Sequence, residues 1–220
     1  MCKTGGISLK IELEKVLPAE IEKRSFEIIT EELQGRAFLE DQELIIKRVI
    51  HTTADFEYAD NLKFSEGAVS KAIEAIKSGA CIVTDTQMAK AGINKKSLAK
   101  HGGEVYCFMS DDDVALEAKE LGTTRATASM NKAARLEKDV IFAIGNAPTA
   151  LVHLYELINE HKITPKLIIG VPVGFVNVVP SKELIMKTDI PYIVATGRKG
   201  GSNVAAAICN ALLYMINNER

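Results

Sequence analysis

From residue 80 onward the chain alternates, with little interruption, between short apolar runs and amphipathic stretches, and this rhythm limits the fold more than any other feature. The apolar runs are Ala80–Thr84, Val105–Met109, Val140–Ile144, Leu167–Val171 and Tyr192–Ala195. Each has the length of a strand and is apolar on consecutive positions, as a strand covered on both faces requires. Between them, Asp113–Leu121, Thr124–Leu136, Thr149–Glu160, Ser181–Lys187 and Ser202–Asn217 carry helical periodicity. Strand–helix alternation of this kind predicts an α/β fold: a three-layer α/β/α arrangement around a mostly parallel sheet of about five strands. Two helices are expected before it, over Pro18–Leu33, where proline sits early and Ile21, Ile28, Ile29 and Leu33 share a stripe, and over Glu66–Lys77. At 220 residues, with no composition shift or repeat, one domain over 1–220 is expected.

Bulk properties exclude several classes. Formal charge is −2, from 27 basic and 29 acidic residues, which is not the profile of a nucleic-acid binder. The longest nearly uncharged run, Leu167–Ser181, holds two prolines and two glycines and is too short to cross a bilayer. The first fifteen residues mix charged and apolar side chains without a signal-peptide core, so a cytoplasmic location is expected. Cys2, Cys81, Cys107 and Cys209 are scattered, and Cys81 and Cys107 read as buried reduced thiols. Four histidines without paired spacing argue against a metal site.

In open α/β sheets, ligands gather at the carboxyl ends of the strands. Three joints there are rich in glycine: Gly145-Asn146-Ala147-Pro148-Thr149, Gly170-Val171-Pro172-Val173-Gly174-Phe175-Val176, and Gly197-Arg198-Lys199-Gly200-Gly201-Ser202. None contains an acidic residue, and the last supplies two cations. They are expected to meet at one crevice for a large ligand with several negative charges, partly through backbone N–H groups. Neither the phosphate-loop spacing nor G-x-G-x-x-G is present, which weighs against a nucleotide enzyme. A second cluster, Lys47 to Asp55, centres on His51, with Thr52, Thr53 and Asp55 able to orient its imidazole. His101, His153 and His161 read as surface or helix-face residues. In Gly122-Thr123-Thr124-Arg125, a threonine can cap the next helix and place Arg125 in its first turn, where a carboxylate on a ligand would answer the cation. Ser25 interrupts the stripe of the first helix beside Phe26.

In their order these segments resemble the precorrin-8X methylmutase family of cobalamin biosynthesis, which includes the cobalt-precorrin-8 methylmutases. The likeness rests on Arg24-Ser25-Phe26, Arg48-Val49-Ile50-His51, Thr84-Asp85, Thr124-Arg125-Ala126, the Gly145 and Gly170 joints, Ser181-Lys182-Glu183, and Gly197-Arg198 with Gly200-Gly201-Ser202. The chain departs from the pattern at Ala89 and Pro180, positions that bear on loop packing. The resemblance implies an isomerase that moves a methyl group from ring carbon 11 to ring carbon 12 of a corrinoid macrocycle without an external cofactor. It implies His51 as proton donor and acceptor and Ser25 at the substrate. Arg125, Asn146, Thr149, Gly174, Arg198, Gly200, Gly201 and Ser202 would bind the ring's carboxylates. It also implies a homodimer with each active site near the interface. A non-catalytic tetrapyrrole carrier would share these loops but would not need His51.

Overall fold

The computed structural model describes residue 14 and residues 16–217; Cys2 lies outside them. After a short 3₁₀ turn at Pro18–Glu20 come α1 (Ile21–Glu32), α2 (Glu40–Thr53), α3 (Tyr58–Asn61), β1 (Leu62–Phe64), α4 (Ala68–Lys77), β2 (Cys81–Thr84), α5 (Gln87–Gly92) and α6 (Lys95–Ala99). There follow β3 (Val105–Tyr106), α7 (Asp112–Glu120), α8 (Arg125–Ala134), β4 (Val140–Ile144), α9 (Pro148–Asn159), β5 (Leu167–Gly170), α10 (Val178–Ile185), β6 (Tyr192–Ala195) and α11 (Ser202–Asn217). The described residues form an α/β domain around one six-stranded sheet in the order β1-β6-β5-β4-β2-β3.

All five expected strands are present and mutually parallel. The sixth, β1, was not anticipated. It is three residues long and pairs antiparallel with β6, Leu62 opposite Ala195 and Phe64 opposite Ile193. A second difference is α2, for which the sequence carries no expected element. It has no side-chain cap at its start, and its apolar residues Ile45, Ile46, Val49 and Ile50 come as β-branched pairs, which carry a weak helix signal.

The strands feed two cores by simple alternation. In β4, Ile141 and Ala143 face a core shared with α2, α4 and α11, while Val140, Phe142 and Ile144 face the one formed with α7, α8, α9 and α10. In β5, Leu167 and Ile169 join the first and Ile168 the second. Every residue of β2, β4 and β5 is buried. This explains why their apolar runs were continuous. Helix α11 is apolar on most of its circumference because it packs on the sheet with one side and on α2, α4 and α5 with others. Helix α1 lies on the outside of α2.

Candidate functional site

The parallel strands run β3-β2-β4-β5-β6, so the first strand of the series lies between the second and the third. Strand order therefore reverses between β2 and β4, the place where such sheets open a ligand crevice. Here that place is filled by the protein itself. Asp85, directly after β2 and only 1% exposed, accepts hydrogen bonds from the backbone N–H groups of Gly145 (2.9 Å), Asn146 (2.8 Å) and Ala147 (2.6 Å). Burial pushes its carboxyl above the ordinary range, and the same three N–H bonds pull against that. The expectation that the Gly145 joint would offer its amides to an anionic guest is thus corrected. The joint lacks an acid of its own because one from the neighbouring strand occupies it. Asn146 keeps only its exposed side chain for a ligand.

The three glycine joints do converge. The Gly201 N–H donates to the Val171 carbonyl (2.8 Å), and the Gly174 N–H donates to the Arg198 carbonyl (3.2 Å). The backbone of Gly145 packs so tightly on the start of α11 that a Cβ there would lie 2.7 Å from the Ser202 Cα. Ser202 and Thr86 share a hydrogen bond of 2.8 Å between their hydroxyls. The amides of Gly174 and Gly201, like those of the Gly145 joint, therefore already have acceptors. Arg198 is exposed, its guanidinium 5.4 Å from the ring centroid of Phe175. Lys199 instead is bound to Asp55 (2.6 Å) and Glu57 (2.9 Å), which hold its ammonium pKa up and, through Lys199, Asp55's carboxyl down.

On the other side, Thr124 caps α8 as expected, accepting from the Thr127 N–H at 3.1 Å, and its hydroxyl meets that of Thr149 at 3.2 Å. Thr149 and Asn177 line the same cavity of about 290 Å³. Arg125 stands exposed at the first position of α8 with no ion-pair partner among the described residues.

His51 lies in the last turn of α2, which ends in the left-handed conformation at Ala54 (φ 53°). It is exposed and lines a cleft of about 880 Å³ between α1 and α2, together with Ile21, Glu22, Phe26, Leu44 and Arg48. Its ring lies 5.5 Å from that of Phe26. Arg48, one helical turn earlier, is buried between Phe26 (5.1 Å) and Tyr214 (4.8 Å) and pairs with Glu22 at 2.8 Å. The neighbours expected to orient His51 do not do so. The Thr52 and Thr53 hydroxyls donate to the Arg48 and Val49 carbonyls, and Asp55 turns to Lys199. Among the described residues, no hydrogen bond engages the His51 imidazole. Ser25 is half-buried, donates to the Ile21 carbonyl (2.9 Å), and is not among the residues lining the cleft. The link between the His51 helix end and the joints is the Asp55–Lys199 pair, a contact over 144 residues of sequence.

The remaining histidines are accounted for. His101 meets the Asn217 side chain at 3.1 Å, His153 bridges Glu156 and Asn131, and His161 occupies a turn with φ 55°. Cys81, Cys107 and Cys209 are buried free thiols, as expected for the first two. No cluster of potential metal ligands occurs among the described residues, and none of their helices is long and apolar enough to cross a membrane. Asp85 and Lys182 were visible in the sequence only as members of the family-like segments. Nothing local distinguishes a carboxylate or an ammonium that will be buried.

Comparison with known proteins adds four findings. Residues 20–215 match the family model described as precorrin-8X methylmutase. The chain is 50% identical over 203 residues to a cobalt-precorrin-8 methylmutase of Priestia megaterium, covering 92% of this chain and 90% of that one. It is 36% identical over 194 residues to a precorrin-8X methylmutase of Pseudomonas aeruginosa, covering 87% and 93%. Among solved structures, a precorrin-8X methylmutase from Thermus thermophilus superposes with a TM-score of 0.83 at 37% identity, over 90% of this chain and 98% of that one.

Proposed function

The chain belongs to the precorrin-8X methylmutase family, and from that membership we propose that it moves a methyl group from ring carbon 11 to ring carbon 12 of precorrin-8X or cobalt-precorrin-8, with His51 as proton donor and acceptor. The observation that carries the role of His51 is its setting. It lines the large cleft between α1 and α2, and no internal hydrogen bond holds its ring nitrogens, whereas His101 and His153 are engaged by side chains. A ring nitrogen without an internal partner can give a proton to, or take one from, a bound macrocycle. The rearrangement breaks one carbon–carbon bond at ring carbon 11 and forms one at ring carbon 12. Its demand on the protein is a held geometry and a proton, not an oxidant.

The carboxylates of such a ring fit the rest of the edge. Arg198 and Arg125 stand exposed without carboxylate partners, Asn146 presents an exposed side chain, and the Thr149 and Ser202 hydroxyls, shared with Thr124 and Thr86, can accept or donate one bond more. Gly174, Gly200 and Gly201 act by letting the two loops approach each other. Ser25, whose hydroxyl donates to the Ile21 carbonyl, would meet the substrate from α1 next to the cleft. The homodimer belongs to the same reading. Val173, Phe175 and Val176, exposed at 49, 81 and 77% beside the joints, offer the apolar surface for it.

The test is an absorption-monitored assay with precorrin-8 in metal-free and cobalt forms. Wild type should give the product spectrum, and His51→Ala should bind product yet turn over at least 10³-fold more slowly, more than general acid–base assistance alone contributes at its low end. Near-normal turnover by the variant would remove His51 from the chemistry. Binding without conversion by both proteins would mark a carrier.

A further inference from the structure

Lys182, in α10, is the most unusual charged side chain among the described residues. It is 1% exposed, yet no carboxylate lies within salt-bridge distance of it. Its ammonium donates instead to two carbonyls of the joint after β6, those of Gly197 (2.9 Å) and Lys199 (2.8 Å). The carbonyl between them, of Arg198, is also taken from within, by the Gly174 N–H. Three successive carbonyls are therefore held by protein donors.

A trans peptide is planar, with its C=O and N–H pointing in opposite directions. The N–H groups of Arg198, Lys199 and Gly200 belong to these same three peptide units and so face away from the donors that hold the carbonyls. None of the three has an acceptor among the described residues, in contrast to the amides of Gly145, Asn146, Ala147, Gly174 and Gly201. Successive N–H groups left without protein acceptors are the elements from which a concavity for one oxygen anion is built. Gly200 admits no side chain here, since a Cβ would fall 2.1 Å from the Val171 carbonyl oxygen.

We propose that Lys182 is a positioning residue of the substrate site: by drawing the Gly197 and Lys199 carbonyls inward it turns the Arg198, Lys199 and Gly200 N–H groups outward as the seat of one substrate carboxylate, to which its own unpaired charge is the buried counter-ion. The division of labour among the cations follows. Lys199 is neutralised by Asp55 and Glu57 and contributes its backbone, while Arg198 and Lys182 contribute charge. Burial pulls the Lys182 pKa down to about 8, because no carboxylate offsets the desolvation of its ammonium. The inference rests on the reading of the chain as an enzyme for a polycarboxylate ring.

The experiment titrates wild type and Lys182→Met with two probes, the cobyrinate polyacid and a fully amidated corrinoid of the same ring. Lys182→Met should weaken the polyacid at least tenfold, leave the amidated ring within twofold, and raise KM while kcat stays within threefold. Equal affinities for the polyacid in the two proteins, or equal weakening of both probes, overturns the proposal. A second measurement needs no variant. In ¹⁵N-labelled wild type, the amide resonances of Arg198, Lys199 and Gly200 should move on adding polyacid, and unmoved resonances would equally overturn it. Wild type that neither binds the polyacid nor converts precorrin-8 refutes the functional reading along with the proposal. Wild type that converts precorrin-8 while Lys182→Met behaves identically refutes Lys182 alone.

Discussion

Replacing Asp85 by alanine isolates the one carboxylate that holds the switch point of the sheet closed. Three N–H groups lose their acceptor, those of Gly145, Asn146 and Ala147. Gly145 and Ala147 are buried, so their N–H groups cannot turn to water, at a cost of about 1–3 kcal/mol each. Asn146 is exposed and rehydrates. The variant also escapes the cost of burying a carboxylate, which offsets part of the loss and leaves a net destabilisation of about 3 kcal/mol. With a urea m-value of about 2–3 kcal/mol/M, the midpoint should fall by about 1–1.5 M at unchanged m. Asp85→Asn should recover less than half of that, since its amide nitrogen would face a donor. The measurement is urea unfolding followed by circular dichroism at pH 7. A midpoint within about 0.3 M of wild type, a loss under about 1 kcal/mol, would mean that the carboxylate does not hold the joint.

The other consequences are more local. Gly200→Ala places a Cβ against the backbone oxygen of Val171, so the Gly201–Val171 hydrogen bond should break and polyacid affinity should fall at least tenfold, while the amidated ring binds as before; titration of both ligands checks it. In a Cys2→Ser background, Cys81, Cys107 and Cys209 should stay unreactive toward a thiol reagent at pH 8 until the protein unfolds, because all three are buried and burial pushes the Cys209 thiol up to about 12. Stoichiometric labelling of the native protein would contradict the burial of these thiols.

Much of the architecture is local information, legible along the chain before any tertiary contact is known. The strands β2, β4 and β5 are apolar on consecutive residues because both faces are covered, and that pattern can be read without knowing what covers them. The boundaries of α11 coincide with those expected from periodicity, and Thr124 declares itself as a cap by its chemistry alone. Convergence of the glycine joints follows from parallel strands, whose carboxyl ends share one edge. What lacked a local signature was left to tertiary structure. Strand β1 has three residues and exists through its pairing with β6. Helix α2, with no cap and β-branched pairs, takes its stability from packing on α11.

The same division runs through the site. Glycines and exposed cations make an anion site a candidate in the sequence, and His51 can be singled out there because an imidazole is able to transfer a proton near neutral pH. Which amides remain open is a different kind of fact. Asp85 closes the Gly145 joint across 60 residues, Asp55 neutralises Lys199 across 144, and Lys182 turns the last joint outward across 15 and 17. Hydrogen bonds and ion pairs act at about 3 Å whatever the separation along the chain. The residue types therefore name the candidates, and only the folded chain decides which of them are already spent on one another.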